Sequence, residues 1–372
     1  MRKLASIQKV LEIVDVEGTD NLQVALVLGW RVIINRNDGI KVGDNVVYFE
    51  IDSLVPEKPE FEFLRKRDFK IKTMKMRGIT SQGLVSPMSI LPEGEYSEGD
   101  DVTDIIGVKQ FNSPKAIVVV NGRVVTKRTY RWRWLPYKAM HWLWENCYWM
   151  YKLLTVNAGD SFPAFVPKTD ETRVQLLQAL LDKYLGQRFV VTEKIDGQSF
   201  TAYLNKGEYG VCSRGIDLDV NNSKMEHVAM ATKLGIEDKL RELGGNWAVQ
   251  GEMAGPGIQS NRQGLAERDV YFFGVFNIDT QRYLDHEDFV AFIENLGLKT
   301  VPVLDTNFVM INDIDALIDM ASDVSFFDEL FLREGIVFRP WKDELCFGIE
   351  GLVRGRVSFK AISPKYLLKH KE

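Results

Sequence analysis

A lysine lies between two acids in Glu193-Lys194-Ile195-Asp196-Gly197, behind the apolar lead-in Val190-Val191-Thr192. The lead-in reads as a strand, so Glu193 and Lys194 point to opposite faces while Lys194 and Asp196 share one. A lysine held beside an acid, at a strand end opening into a glycine turn, has the placement of a nucleophile. An isolated K-x-D-G is more often an ordinary ion pair on a surface strand. What lies downstream decides between the two readings.

Three further stretches end strands in residues able to do chemistry. Gln250-Gly251-Glu252-Met253-Ala254-Gly255-Pro256-Gly257-Ile258-Gln259 closes a strand on a glutamate and a glycine-rich loop. Arg333-Glu334-Gly335-Ile336-Val337-Phe338-Arg339 puts a second Glu-Gly at a strand mouth, and Gly355-Arg356-Val357-Ser358-Phe359-Lys360 ends on a lysine. Between them runs the aromatic strand Tyr271-Phe272-Phe273-Gly274-Val275-Phe276-Asn277-Ile278. In this order the blocks resemble the covalent nucleotidyltransferases, the superfamily of polynucleotide ligases and messenger-RNA capping enzymes. The Gly251–Gln259 block is similar to the RNA ligases, and nearly the whole chain resembles the Deinococcus-type RNA ligases.

That resemblance implies an ATP-dependent RNA ligase that joins 3′-OH and 5′-phosphate ends. It implies three steps: lysyl-AMP formation, capping of the 5′-phosphate with AMP, and attack by the 3′-OH. Lys194 is then the nucleophile, and Asp196 and Glu334 help hold Mg2+ or Mn2+, Asp196 through water. Glu252 accepts from the ribose hydroxyls, Phe276 stacks on adenine, and Lys360 neutralises the α-phosphate. Arg173, in Lys168-Thr169-Asp170-Glu171-Thr172-Arg173, is a phosphate-side cation. Arg214, in Ser213-Arg214-Gly215, contacts phosphate or the 3′-OH strand, and Glu193 fixes the adenine edge, partly through backbone. Two departures stand out. Where the family often has K-x-K, Ser358 precedes Lys360, leaving one phosphate contact missing or taken by Arg356 or Arg354. Position 277 is Asn where an acid is common.

The elements that must position these residues divide the chain into 1–110, 111–159 and 160–372. The first part has short β-rich runs, Val24–Leu28, Trp30–Ile34 and Asn45–Phe49, punctuated by glycine and Asn-Asp-Gly turns. An OB-type barrel is the expected fold. Gly29-Trp30, Val42-Gly43-Asp44 and Tyr48-Phe49-Glu50-Ile51-Asp52-Ser53 resemble the OB module found ahead of certain RNA ligases. So does Arg77-Gly78-Ile79-Thr80-Ser81-Gln82-Gly83-Leu84. Phe63–Arg77 carries seven cations against one acid, with Phe63 and Phe69 interleaved. That is either a solvated loop or a backbone-tracking RNA surface with stacking groups. The connector alternates cations and aromatics over 127–134, then places Trp144, Tyr148 and Tyr151 on one helical face. The last part reads as mixed helix and strand, with helices over 171–184, 222–243, 285–296 and 314–321 and a strand-rich 335–367. The expected fold class is therefore α+β. An N-terminal OB-type β-barrel is followed by a nucleotidyltransferase (ligase adenylation) domain of antiparallel sheets with flanking helices.

Composition excludes several other classes. A net charge of −5 over 372 residues argues against a nonspecific nucleic-acid coat, though not against a local basic groove. Cys147, Cys212 and Cys346 are scattered and odd in number, which gives neither a disulfide framework nor a zinc site and points to a reducing interior such as the cytoplasm. The most apolar stretch, 140–154, is shorter than the roughly 20 residues a membrane helix takes. A soluble protein with RNA and ATP as partners, and no obligatory protein partner, is expected. A DNA ligase or capping guanylyltransferase is the nearest enzymatic rival, disfavoured because only twelve residues follow Lys360. A noncatalytic RNA-binding OB protein is the rival of a different kind, and it predicts no covalent AMP.

Overall fold

The computed structural model describes residues 3–16, 18–111, 118–120, 123–125, 160–349 and 351–370. The expected aromatic helix with Trp144, Tyr148 and Tyr151, the 127–134 alternation and Cys147 lie outside them.

Ala5–Asp15 is long enough to pair with Asn45–Phe49 along its first half and Leu22–Val27 along its second. Trp30–Asn35 and Leu84–Pro87 complete an antiparallel sheet of five strands. A register shift between Val10 and Glu12 bends the central strand, as a bulge does. The two edges then meet: Gln82 N–H donates to the Arg31 carbonyl at 3.0 Å, and Ile33 N–H to Ser81 Oγ at 2.9 Å. This curled half-barrel is the expected OB module. Trp30, Tyr48, Val27 and Val32 fill one side of it, and Ile7, Phe49, Phe61 and Ile71 the other.

The cation-rich run is not one loop. Pro59–Arg67 winds as a 3-10 helix, and Lys70–Ile71 and Met74–Met76 are short strands. Phe69 drops into the core at 5% exposure while Phe63 stays out at 64%, so only Phe63 of the expected pair is free to stack.

Residues 160–370 build two sheets. The larger centres on Gln198–Asn205, Trp247–Ala254 and Asp269–Asn277, with Glu226–Lys233, Ile236–Leu243 and His286–Asn295 packed on its outer face. The smaller runs Thr172–Arg173, Phe359–Ile362, Gly335–Pro340, Arg188–Lys194, Val303–Val309. Gln178–Tyr184 and Ile314–Ala321 cover its outer face, against Phe189, Val191, Phe338 and Phe359. The inner faces meet across a cavity lined by Val190, Thr192 and Arg339 from one sheet and Phe273 and Gly274 from the other.

Most strand pairings are antiparallel as expected. Two short ones are parallel: Thr172–Arg173 with Phe359–Lys360, and Tyr271–Phe272 with Lys299–Thr300. Three local expectations change. The 171–184 helix begins only at Gln178, because the backbone at 172–173 is captured by the Lys360 strand. The 222–243 helix is two helices, broken where Gly235 takes a left-handed φ of 62°. The strand-rich end closes with the helix Pro364–His370. Among the described residues no helix is long and apolar enough to cross a membrane.

Candidate active site

Lys194 is the last residue of its strand, facing the space between the sheets. The strand lies antiparallel to Gly335–Pro340, in a register that sets Lys194 opposite Gly335. Glu334 is the residue just before that strand, and Lys194 Nζ donates to Glu334 Oε2 at 2.6 Å. So the partner of Lys194 is Glu334, not the nearby Asp196. Gly197 then lets the turn lie against the Glu252 strand: a Cβ there would collide with the Met253 carbonyl oxygen and the Glu252 side chain. The glycine is required by close approach, not by a left-handed backbone.

Three carboxylates surround one ammonium. Burial alone would lower the Lys194 pKa, but Glu334, Glu252 and Asp196 outweigh it and hold the ammonium charged. Burial, with Glu334 and Asp196 adding to it against Lys194, pushes the Glu252 carboxyl up to about 8. Burial and Glu334 push Asp196 up to about 6, opposed by Tyr366, Lys194 and Arg262. Asp196 Oδ2 accepts from the Tyr366 hydroxyl at 2.5 Å and from Arg262 at 3.1 Å. Asp196, Glu252 and Glu334 offer carboxylate oxygens, the donors a hard divalent cation prefers. Among the described residues no three acidic, histidine or cysteine side chains stand close enough to cage a metal directly.

Lys360 enters from the neighbouring strand, opposite Val337 and in parallel register with Arg173. Burial, then Lys194 and Arg173, lower its pKa to about 8. Arg173 reaches back to the OB module: its guanidinium is 3.7 Å from Asp52 and 5.7 Å from the Trp30 ring centre. Gly29 N–H also donates to the Gln175 carbonyl at 2.9 Å, and Arg31 pairs with Asp315 at 2.5 Å. Arg173, expected as a phosphate-side cation, is therefore held by the OB module.

The remaining expected residues are placed less uniformly. Phe276, 4% exposed, packs edge-on against Tyr283 and lines a cavity with Lys168, Glu171, Arg356 and Ser358. A bulge where Gly251 and Gln250 pair with Phe272 and Gly274 leaves Phe273 unpaired, beneath the Arg339 guanidinium at 5.4 Å. Glu193 turns away: its carboxylate accepts from Ser325 Oγ at 2.6 Å and Phe326 N–H at 2.7 Å. Burial raises its pKa, and these two donors oppose the rise. Arg214 lies exposed, paired with Asp170 at 2.7 Å and outside the lysine cluster. Arg356 pairs with Asp343 at 2.7 Å and lies 3.4 Å from the centre of the Tyr283 ring, while Arg354 is exposed.

Four participants carried no role in the sequence reading. Glu171 pairs with Arg339 at 2.7 Å and accepts from Ser358 Oγ at 3.2 Å, so the serine in the lysine's place is tied to a carboxylate. Burial works against that carboxylate's charge, yet Arg339 and Lys360 lower its pKa overall. Arg262 and Tyr366 hold Asp196. Glu171 and Arg339 stood inside stretches already singled out by motif; Tyr366 had one signal, the Ser363-Pro364 helix start ahead of it.

The comparisons with known proteins identify the family and the fold. The RNA ligase family model matches residues 187–362, and an OB-fold domain model matches residues 4–88. A variant of Naegleria gruberi RNA ligase solved with ATP and Mn superposes with a TM-score of 0.80 at 30% identity, covering 99% of each chain. The same ligase with PPi gives 0.80 and 30%, and another variant with AMP and Mn gives 0.80 and 31%, each covering 100% of this chain and 99% of the other. No curated protein sequence matches the chain significantly. The fold and site define a nucleotide-transferring ligase with an OB module. The chain belongs to the RNA ligase family.

Proposed function

We propose that this chain is an ATP-dependent RNA ligase that seals nicks, joining a 3′-OH to a 5′-phosphate in RNA. One observation carries the reading: the lysine of the strand-end motif lies 2.6 Å from Glu334, among Asp196, Glu252, Lys360 and Arg173. Solved relatives that hold ATP, AMP, PPi and Mn support the choice of nucleotide and metal.

In this reading Lys194 Nζ attacks the α-phosphorus of ATP, an N–P bond forms, and pyrophosphate leaves. Lys194 must first give up its proton to water, which the surrounding carboxylates oppose. Asp196 and Glu334 would hold a divalent metal, whose positive charge would draw those carboxylates off the ammonium and offset charge on phosphate. Lys360 and Arg173 face the phosphates, and Glu252 accepts from ribose hydroxyls. The 5′-phosphate of the RNA then takes the AMP, and the 3′-OH displaces it. We also assign 1–110 as the RNA-side module, 111–159 as connector and 160–372 as the nucleotidyltransferase domain. Incubation with α-labelled ATP and Mn2+ tests the reading, and label that fails to survive denaturation rejects it.

Phe276 supplies the adenine stack in this reading. Base–aromatic stacking is worth roughly 1–3 kcal/mol, so Phe276→Ala should raise the KM for ATP about 5- to 150-fold. An unchanged KM would move the base to the neighbouring cavity under Phe273.

The OB module carries the polyanion. Arg65 is already paired with Glu62 at 2.5 Å, so Lys66, Arg67 and Lys75 are better candidates for phosphate contacts. Each phosphate contact contributes about 0.7–0.9 to the slope of log affinity against log salt. Changing all three to alanine should flatten that slope for nicked RNA by about 2 to 3 while leaving lysyl-AMP formation intact. A slope equal to the wild type's would place the RNA on another face.

A further inference from the structure

Seven residues tie together three parts of the candidate site. Lys360 lies on the strand Phe359–Ile362, and the next residue, Ser363, donates its N–H to the Glu334 carbonyl at 2.9 Å. Ser363 also caps the following helix, accepting from Tyr366 N–H through Oγ at 3.2 Å. Pro364 opens that helix, where its missing N–H costs nothing. One turn in, the fully buried Tyr366 delivers its hydroxyl to Asp196 Oδ2 at 2.5 Å.

A second arm reaches Asp196 from the loop after the Glu252 strand. Gln259, Ser260 and Asn261 all take left-handed φ values, of 42°, 61° and 48°. Three such residues in a row are costly without glycine and persist only where the surroundings over-determine them. Here Ile258 is sunk in the core, and the Asn261 amide both accepts from Leu265 N–H and donates to Leu265 O. The strained turn sets Arg262 against Asp196 Oδ2 at 3.1 Å. It also sets the buried Gln263 on the Asp196 backbone: oriented so that both amide atoms find partners, Gln263 donates to Asp196 O at 3.1 Å and accepts its N–H.

Both side-chain contacts fall on the same carboxylate oxygen. Oδ2 takes Tyr366 and Arg262, while Oδ1 carries no hydrogen bond among the described residues. We infer that Tyr366 and Arg262 are positioning residues: they pin Asp196 through Oδ2 so that Oδ1 is presented to the metal side of Lys194. The last helix is thereby a working part of the active site. This rests on reading Asp196 as a metal-side carboxylate. Fixing one oxygen selects a single rotamer for a group that otherwise swings, and removing such supports typically costs about 10- to 100-fold in metal affinity.

The test uses the full chain without ATP and measures Mn2+ binding from the paramagnetic resonance signal of the free ion. Tyr366→Phe keeps the ring and removes one bond; Arg262→Ala removes the other from a different element, so one misfolded variant does not decide the result. Each is expected to weaken Mn2+ binding about 10- to 100-fold, and the metal concentration for half-maximal lysyl-AMP formation should rise in step. Arg262→Lys should recover part of the loss. Asp196→Asn separates the two readings. If it loses Mn2+ while Tyr366→Phe and Arg262→Ala bind like wild type, the positioning inference is overturned and the metal reading stands. If Asp196→Asn binds Mn2+ and forms lysyl-AMP like wild type, both fall. A Tyr366→Phe protein that melts earlier yet binds Mn2+ normally would make the hydroxyl merely structural and overturns the inference.

Discussion

Lys194→Ala is expected to carry no AMP through denaturation, whereas the wild type should. The expected loss is at least about 1,000-fold, because removing a nucleophile removes the covalent route instead of weakening it. Lys194→Arg should be equally inactive. Arginine keeps the charge and the ion pair with Glu334, but a guanidinium does not lose its proton in proteins and so cannot attack. The pair of variants separates a nucleophile from a structural cation. If Lys194 only neutralised the three carboxylates around it, Lys194→Arg would retain activity and Lys194→Ala would fail by unfolding. Circular dichroism alongside the labelling distinguishes these outcomes. Arginine supporting covalent labelling would end the claim that position 194 carries AMP.

Much of this site was legible because its residues sit on or beside strands. Lys194 ends its apolar run, Glu252 lies late in one, Glu334 stands just before one and Lys360 near the start of one, and such runs announce themselves in sequence. The helix at Ile314–Ala321 was also readable, from its apolar spacing behind Asp313, whose side chain caps it. What stayed hidden is pairing between distant segments. Nothing local distinguishes Thr172–Arg173 from the first turn of a helix; the parallel partner that holds it extended lies near Phe359, far along the chain. Glu171 gained its role the same way, through Arg339 and Ser358. Glu193 is expected at the adenine edge, partly through backbone; alternation along the strand sends its carboxylate to Ser325. One of the two readings of the cation run makes Phe69 a stacking group, although the core has a stronger claim on its ring.

Lys360→Met should slow AMP transfer about 100- to 1,000-fold and at the same time stabilise the protein at neutral pH. Lys360 is lowered to about 8 from the usual 10.5 by burial and by the charges of Lys194 and Arg173. A depressed amine pKa means that the folded state releases its proton before the unfolded chain does. Below about pH 8 both states hold the proton, and the folded state bears the full cost of a crowded ammonium. Between about 8 and 10.5 the unfolded chain binds more protons, so stability climbs with pH; above that range the cost is gone. At pH 7 the cost is roughly 3 kcal/mol. Methionine has a similar length and no charge, so it relieves that cost without opening a cavity. Calorimetry at pH 7 should show the variant melting several degrees above wild type, with the difference shrinking as pH approaches 10. Bound ATP reverses the balance, because its phosphates compensate the ammonium; the wild type should gain stability from ATP and the variant much less. Losing a cation aimed at charge that develops on the α-phosphate costs about 100- to 1,000-fold in rate. A variant no more stable than wild type at pH 7 would show that Lys360 is not crowded by its neighbours. One that is more stable but still forms lysyl-AMP at the wild-type rate would place the phosphate away from this lysine.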